Sequence, residues 1–252
     1  LGADHERTRT STSFEGAIPD RAANQVTSAY AQLVLRPVDG LSLTGGLRHD
    51  DYSDYGGQTT FAAHAAWSPN GGQTQLRLSL AEGFRAPTLS EGQPPFGNLS
   101  LRPETARNLD IGVEQRFLDG RAALGMTWFR RTSRDLIAFS FATFQSENID
   151  RARATGVEIE LALKPVDGVD LRASWSRTDA TNRSPGPLLG KRLALRPRDS
   201  VALTADWQTP WRVRLGTTLT LTSDSFDDAA NRVRLDGYAL AALRAALPLG
   251  GG

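Results

Sequence analysis

Trp211-Arg-Val-Arg-Leu-Gly-Thr-Thr-Leu-Thr-Leu221 alternates residue by residue. Trp211, Val213, Leu215, Thr217, Leu219 and Leu221 form one set, and Arg212, Arg214, Gly216, Thr218 and Thr220 form the other. Successive side chains of a β-strand point to opposite faces, so this stretch predicts a strand with one apolar and one charged face. Immediately upstream, Val201, Leu203, Ala205 and Trp207 alternate with Ala202, Thr204 and Asp206. The same period of two runs through Val157–Leu163, Leu76–Leu80 and Leu109–Val113. Only Leu240, Leu243 and Leu247 are spaced so that a helix fits as well as a strand. Their strand-forming neighbours decide that case.

Two kinds of connection alternate along the chain. The short ones are Arg36-Pro-Val-Asp-Gly40, Ser68-Pro-Asn-Gly-Gly72, Leu118-Asp-Gly120, Lys164-Pro-Val-Asp-Gly168 and Gln208-Thr-Pro210. Each carries residues that tight turns require: Pro to preset φ, Asn or Asp to close the turn, Gly to take positive φ. Polar stretches at 9–23, 49–57, 84–104, 132–154, 179–196 and 223–236 read as longer loops. The Arg36–Gly40 and Lys164–Gly168 turns are nearly the same turn used twice, which supports repeated hairpins.

In an antiparallel meander, alternate connections lie at opposite ends, so short turns and long loops segregate. A soluble β-sandwich also alternates strands and turns, but usually with strands of about 5–6 residues and mixed loop lengths. Strands of roughly 10 residues with short turns at one end and long loops at the other are the pattern of a transmembrane β-barrel. Trp67, Phe117, Trp207 and Trp211 flank the short turns on the apolar register, as an interfacial aromatic girdle would. The charged register would line a wet lumen at little cost. In a sandwich core it would be expensive.

Composition narrows the function. The 29 Lys and Arg against 28 Asp and Glu leave a net charge of +1, which excludes a strongly basic nucleic-acid footprint. With no cysteine there is no disulfide, thiolate metal site or Cys nucleophile. No run approaches the roughly 18 apolar residues of a membrane-spanning helix. His5, His49 and His64 lie far apart without metal-ligand spacing, and no nucleophile elbow, phosphate-binding Gly loop or dinucleotide fingerprint is present. His49-Asp-Asp-Tyr-Ser-Asp54 concentrates carboxylates but lacks calcium-loop spacing, so it reads as a solvated loop. No catalytic residue, metal site or cofactor is expected, and an enzyme is not.

Three further stretches carry a resemblance. They are Gly83-Phe-Arg-Ala-Pro-Thr-Leu-Ser-Glu91, then Leu101-Arg-Pro-Glu-Thr-Ala-Arg-Asn-Leu-Asp-Ile-Gly-Val-Glu-Gln115, then Asn148-Ile-Asp-Arg-Ala-Arg-Ala-Thr-Gly-Val-Glu-Ile-Glu160. In this order and spacing the chain resembles the C-terminal barrel half of TonB-dependent outer-membrane receptors. The resemblance implies an all-β fold, an antiparallel transmembrane β-barrel of roughly 22 strands filled by an N-terminal plug. It also implies import of a ferric siderophore or cobalamin-like ligand through the outer membrane of a Gram-negative bacterium, energised through the TonB complex. Against that pattern the chain, residues 1–252, reads as a partial barrel of about twelve strands, truncated at both ends and without a plug. Two alternatives remain open: a passive porin-type channel, with Arg77, Arg172, Arg212 and Arg214 facing its lumen, and a soluble β-sandwich binding domain.

The quoted stretches read as scaffold rather than ligand contacts. Thr88–Glu91 could start a short helical turn; Glu104, Arg107 and Asp110 could pair charges at the rim; Glu158 and Glu160 would face Arg153, Arg172 or a plug. Candidate ligand contacts are aromatic residues in exterior loops. Phe139, Phe141 and Phe144 fall in the 132–154 stretch, with Phe139 and Phe141 on one strand face and Phe144 on the other, and Tyr52 and Tyr55 follow Leu47. Rings in a wet loop are costly unless covered, and they suit large, partly apolar chelates.

Overall fold

The structure is a computed structural model that describes residues 1–12, 20–92, 97–140 and 143–247. The strands are β1 (Gly2–Thr12), β2 (Asp20–Leu35), β3 (Leu41–Tyr52), β4 (Gly56–Trp67), β5 (Thr74–Arg85), β6 (Glu104–Phe117), β7 (Ala122–Ser140), β8 (Gln145–Leu163), β9 (Val169–Asn182), β10 (Asp199–Gln208), β11 (Arg214–Thr222), β12 (Ser225–Phe226), β13 (Arg234–Leu235) and β14 (Tyr238–Ala246). One four-residue helix, α1 (Leu89–Gly92), lies between β5 and β6. β1 to β11 and then β14 form one twelve-stranded antiparallel sheet in chain order. β12 and β13 pair separately as a small hairpin.

A single sheet in sequence order excludes the sandwich, which needs a second sheet packed on the first. Among the described residues the only apolar side chains that are buried are Leu101, Ala152 and Ala180. The large apolar residues instead share one face. Across it, Leu76, Val113, Met126, Ile159, Trp175, Val201 and Leu221 stand opposite one another strand by strand. In water each such side chain would forgo about 1.5–3 kcal/mol of burial. Only an apolar solvent on that face makes the arrangement stable. The other face carries Arg77, Glu114, Glu158, Glu160, Arg172, Asp206 and Arg244, the last two paired at 3.1 Å.

The twin turns are physically equivalent. In each, the residue after the glycine donates its N–H to the valine carbonyl three back, Leu41 to Val38 and Val169 to Val166, both at 3.2 Å. Gly40 (φ 76°) and Gly168 (φ 82°) take the positive φ that closes them, and their carbonyls accept from Ser68 and Gln208 of neighbouring turns. Trp67, Phe117 and Trp207 flank the turns at this end on the apolar face, as the girdle reading expected.

Several boundaries differ from the sequence reading. β11 begins at Arg214: Trp211, Arg212 (φ 64°) and Val213 close a turn in which Thr209 N–H donates to the Val213 carbonyl at 2.9 Å. Arg212 is therefore a turn residue and not part of the lumen wall. The 49–57 stretch is mostly strand, with only Ser53–Tyr55 turning between β3 and β4. Within the 132–154 stretch, residues 132–140 and 145–154 are strand and not loop. β7 and β8 are 19 residues each and pair to Ser140↔Gln145, so this hairpin rises well above the apolar band. The ambiguous Leu240 and Leu243 lie in β14, held to β11 by backbone pairing from Tyr238 to Ala246.

Candidate functional site: the long-connection rim

The three stretches that carry the resemblance meet at one rim of the sheet. Arg85, the last residue of β5, holds two carboxylates at once. Its Nε and Nη2 donate to Glu104 at 3.1 and 2.8 Å, and its Nη1 and Nη2 donate to Glu91 at 2.8 and 3.1 Å. The antiparallel register puts Glu104, first residue of β6, directly opposite Arg85. Pro87 turns the chain, and Thr88 then fixes Glu91: the Thr88 N–H and hydroxyl both donate to Glu91 Oε2, at 2.8 and 2.9 Å. Glu104 Oε1 also accepts the Ile137 N–H at 2.7 Å, which ties β7 to the hub beyond the point where β6 ends.

These contacts set the charge states. Burial alone would raise the Glu91 carboxyl, but the Arg85 guanidinium and the Thr88 donors outweigh it and hold Glu91 below the usual carboxylate range. Hydrogen bonds from Arg85 to Glu104 and then Glu91 raise the guanidinium above its already high ordinary value. A carboxyl depressed in the folded state stabilises fully above its unfolded value, about 4.3, and that contribution is lost as pH falls through the lower folded value. We expect the β5–β6 connection of the full-length protein to resist pepsin at pH 5 and to be cleaved faster below about pH 4. The Glu91→Gln variant should already be cleaved faster at pH 5. Equal cleavage of the two proteins at pH 5 would contradict the role given to Glu91.

A second set of bonds fastens the same connection to the β7–β8 hairpin. Arg102 N–H donates to Asn148 Oδ1 at 2.9 Å, and Asn148 Nδ2 donates back to the Arg102 carbonyl at 3.0 Å and to the Asp135 carbonyl at 2.7 Å. The Arg102 guanidinium bridges Asp135 and Asp150, and Asn98 donates to the Ser146 carbonyl at 3.1 Å. Leu101 is buried beneath this seam. Backbone edges that a strand would otherwise occupy are thus satisfied by side chains.

Tyr52 and Tyr55 stand beside the Arg85 hub. The Tyr52 ring packs on Phe84 at 5.5 Å between centroids. Burial pushes both phenols up, with Asp50 adding to the effect at Tyr52 and Asp54 and Glu91 at Tyr55. Phe139 lies on the last turnward part of β7, opposite Ser146, and Phe144 occupies the hairpin turn at φ 54° and is exposed. Phe144 therefore belongs to the turn and not to a strand face. Phe141 lies outside the described residues.

Two charge pairings expected from sequence are corrected. Glu104 pairs with Arg85, whereas Arg107 projects from the apolar-register face to Glu82 at 3.0 Å. Asp110 alternates onto the opposite face, so it cannot meet Arg107. Glu158 and Glu160 share a face with Arg172, but Arg153, an odd number of residues away, lies on the other side. Sequence reasoning missed the fork of Arg85 and the buried Asp50, which accepts from Arg48 at 2.8 Å and from Ser28. The signal was present as charges bracketing Pro87, but only the register supplies the partner.

The comparisons with known proteins agree with this geometry. The family described as "TonB dependent receptor-like, beta-barrel" matches residues 1–250. The chain is 30% identical to the ferric enterobactin receptor PirA of Pseudomonas aeruginosa over 50% of its own length and 19% of that protein. It is 26% identical to the vitamin B12 transporter BtuB of Photobacterium profundum over 95% of its length and 39% of that protein. It therefore spans well under half of these curated relatives. A crystal structure of the ferric enterobactin receptor PfeA of P. aeruginosa with enterobactin superposes with a TM-score of 0.79 at 19% identity, covering 96% of this chain and 42% of that one. The twelve-stranded sheet with an apolar outside and a charged inside is part of a barrel wall, and the chain belongs to the TonB-dependent receptors of the Gram-negative outer membrane.

Proposed function

We propose that the protein containing this chain is an active-transport receptor that takes up a ferric siderophore or a cobalamin-like ligand, energised through the TonB complex. The observation that carries the reading is the family match over residues 1–250, joined to relatives named as ferric enterobactin receptors and a vitamin B12 transporter. Those relatives are named as a receptor and a transporter and not as enzymes. Contact with TonB would be made by an N-terminal plug domain in the full-length protein, and the barrel wall contacts outer-membrane lipid. The test is uptake of radiolabelled ferric enterobactin and cobalamin by cells expressing the full-length gene. Accumulation abolished by a protonophore is expected. Protonophore-insensitive flux of unrelated small solutes would instead support a passive channel.

Aromatic residues are proposed to contact the cargo: Tyr52 and Tyr55 beside the Arg85 hub, Phe139 and Phe144 on the β7–β8 hairpin, and Phe141, which falls between those two in sequence. What supports the reading is the position of Tyr52, Tyr55, Phe139 and Phe144 at the long-connection rim and the exposure of Phe139 and Phe144. Combining Phe139→Ala with Phe141→Ala in the full-length receptor should weaken cargo binding about tenfold or more. Unchanged affinity at normal surface expression overturns the assignment. Lost expression with normal affinity per receptor would show that the rings are structural.

A further inference from the structure

The apolar face changes character at a definite height. On β8 the outward residues Leu163, Leu161, Ile159 and Val157 are apolar over about 20 Å of strand. Above them on the same face come Thr155, Arg153 and Arg151. On β7 the outward series runs Leu124, Met126, Trp128, then Arg130, Thr132 and Arg134. The register sets these side by side: Arg130 opposite Thr155, Thr132 opposite Arg153, and Arg134 directly opposite Arg151. Four guanidinium groups therefore occupy three successive rows of two adjacent strands, immediately above the lipid-facing band. Like charges placed directly across a ladder repel, so this arrangement is unfavourable unless an anion lies between them.

Several carboxylates on this face are already engaged, and Glu147, two rows above Arg151, accepts the Thr143 hydroxyl. Glu82 pairs with Arg107 at 3.0 Å, Asp199 with Arg177 at 3.3 Å and Asp179 with Arg198 at 2.9 Å. The nearest carboxylates in sequence, Asp135 and Asp150, are both taken by Arg102. Arg130, Arg134, Arg151 and Arg153 form no ion pair among the described residues. Arg153 Nε is moreover buried without a hydrogen-bond partner. The patch lies on the outside of the wall, so neither a lumen ligand nor a plug can neutralise it.

We propose that the outward face of β7 and β8, through Arg130, Arg134, Arg151 and Arg153, docks the phosphate groups of a phosphorylated glycolipid in the outer leaflet. The guanidinium fork matches a phosphate bidentately, and the acyl chains of the same molecule lie against Trp128, Met126, Ile159 and Val157 below. The charge fixes the headgroup class, and the height of the patch selects a lipid over a soluble anion. The inference rests on the placement of the wall in the outer membrane and not on the cargo.

The experiment uses the full-length receptor in detergent, titrated with diphosphorylated lipid A, with its enzymatically dephosphorylated form, and with inorganic phosphate, and read by native mass spectrometry. The expected result is retention of diphosphorylated lipid A by the wild-type protein and at least about tenfold weaker retention of the dephosphorylated lipid. The Arg130→Gln, Arg134→Gln, Arg151→Gln, Arg153→Gln protein should lose the preference, while Arg107→Gln, whose guanidinium is ion-paired, should keep it. Equal binding of the two lipids by the wild-type protein overturns the proposal without recourse to any variant. So does displacement of the lipid by millimolar phosphate alone, or a patch whose neutralisation changes only the oligomeric state. A failure of uptake assays leaves this readout untouched, so the two readings fail separately.

Discussion

Arg85→Ala in the full-length receptor is expected to destabilise the rim by about 2–3 kcal/mol, less than breaking a fully buried ion pair would cost because the fork is partly solvated. The loss is large because one guanidinium serves two carboxylates. Glu104, whose side chain is only 14% exposed, would keep the Ile137 N–H as a partner but lose both bonds from Arg85. Glu91 would keep Thr88 and lose its cation. A partner left unpaired costs more than the pair is worth, so neutralising Glu104 as well should recover part of the loss. The measurement is equilibrium urea unfolding of Arg85→Ala, Glu104→Gln and the double variant in lipid vesicles, with proteolysis of the β5–β6 connection read in parallel. Additive losses would show that Arg85 and Glu104 act independently. Arg102→Ala is the internal contrast: its side chain is about 60% exposed, so losing its pairs with Asp135 and Asp150 should shift the urea midpoint far less than Arg85→Ala does.

Ile159→Arg is expected to cost about 2–4 kcal/mol, the penalty of a cation at mid-height on the lipid face of a barrel. Ile159 stands between Met126 and Trp175 in the middle of the apolar rows, with no carboxylate on that row to meet it. The neighbouring change Glu160→Arg should cost far less, about 1 kcal/mol or below, because residue 160 faces the charged side opposite Gly125 and Ser174. The pair of variants tests the sidedness of the sheet with one residue of separation. Folding yield into vesicles and urea midpoints of the full-length protein provide the readout. Equal penalties at 159 and 160 would contradict the assignment of inside and outside.

How much of this was legible in the sequence depends on the range of the interaction. Alternation in Val157–Leu163 and Val201–Trp207 is a local property of the strand, and it assigned faces that the structure retains. Turn chemistry is local too. Arg36-Pro-Val-Asp-Gly40 and Lys164-Pro-Val-Asp-Gly168 carry their φ requirement in four or five residues, so both were readable as turns and both close in the same way. The girdle residues Trp67, Phe117 and Trp207 follow from those two facts together.

Height above the membrane was not legible, because alternation does not distinguish a strand in lipid from its continuation in water. Polar residues at 132–154 were therefore read as loop, although β7 and β8 continue their ladder through that stretch. The partner of Arg85 is 19 residues away and becomes definite only once β5 and β6 take their register. Arg153 was placed with Glu158 because its charge suited them, whereas parity across β8 separates the two by the thickness of the sheet. The sequence by itself determined which residues alternate, where the chain turns and which family it resembles, since these are set by neighbours along the chain. Only the tertiary structure decided which charges meet, because an ion pair requires two side chains at the same row and on the same face, and that is a property of register between strands.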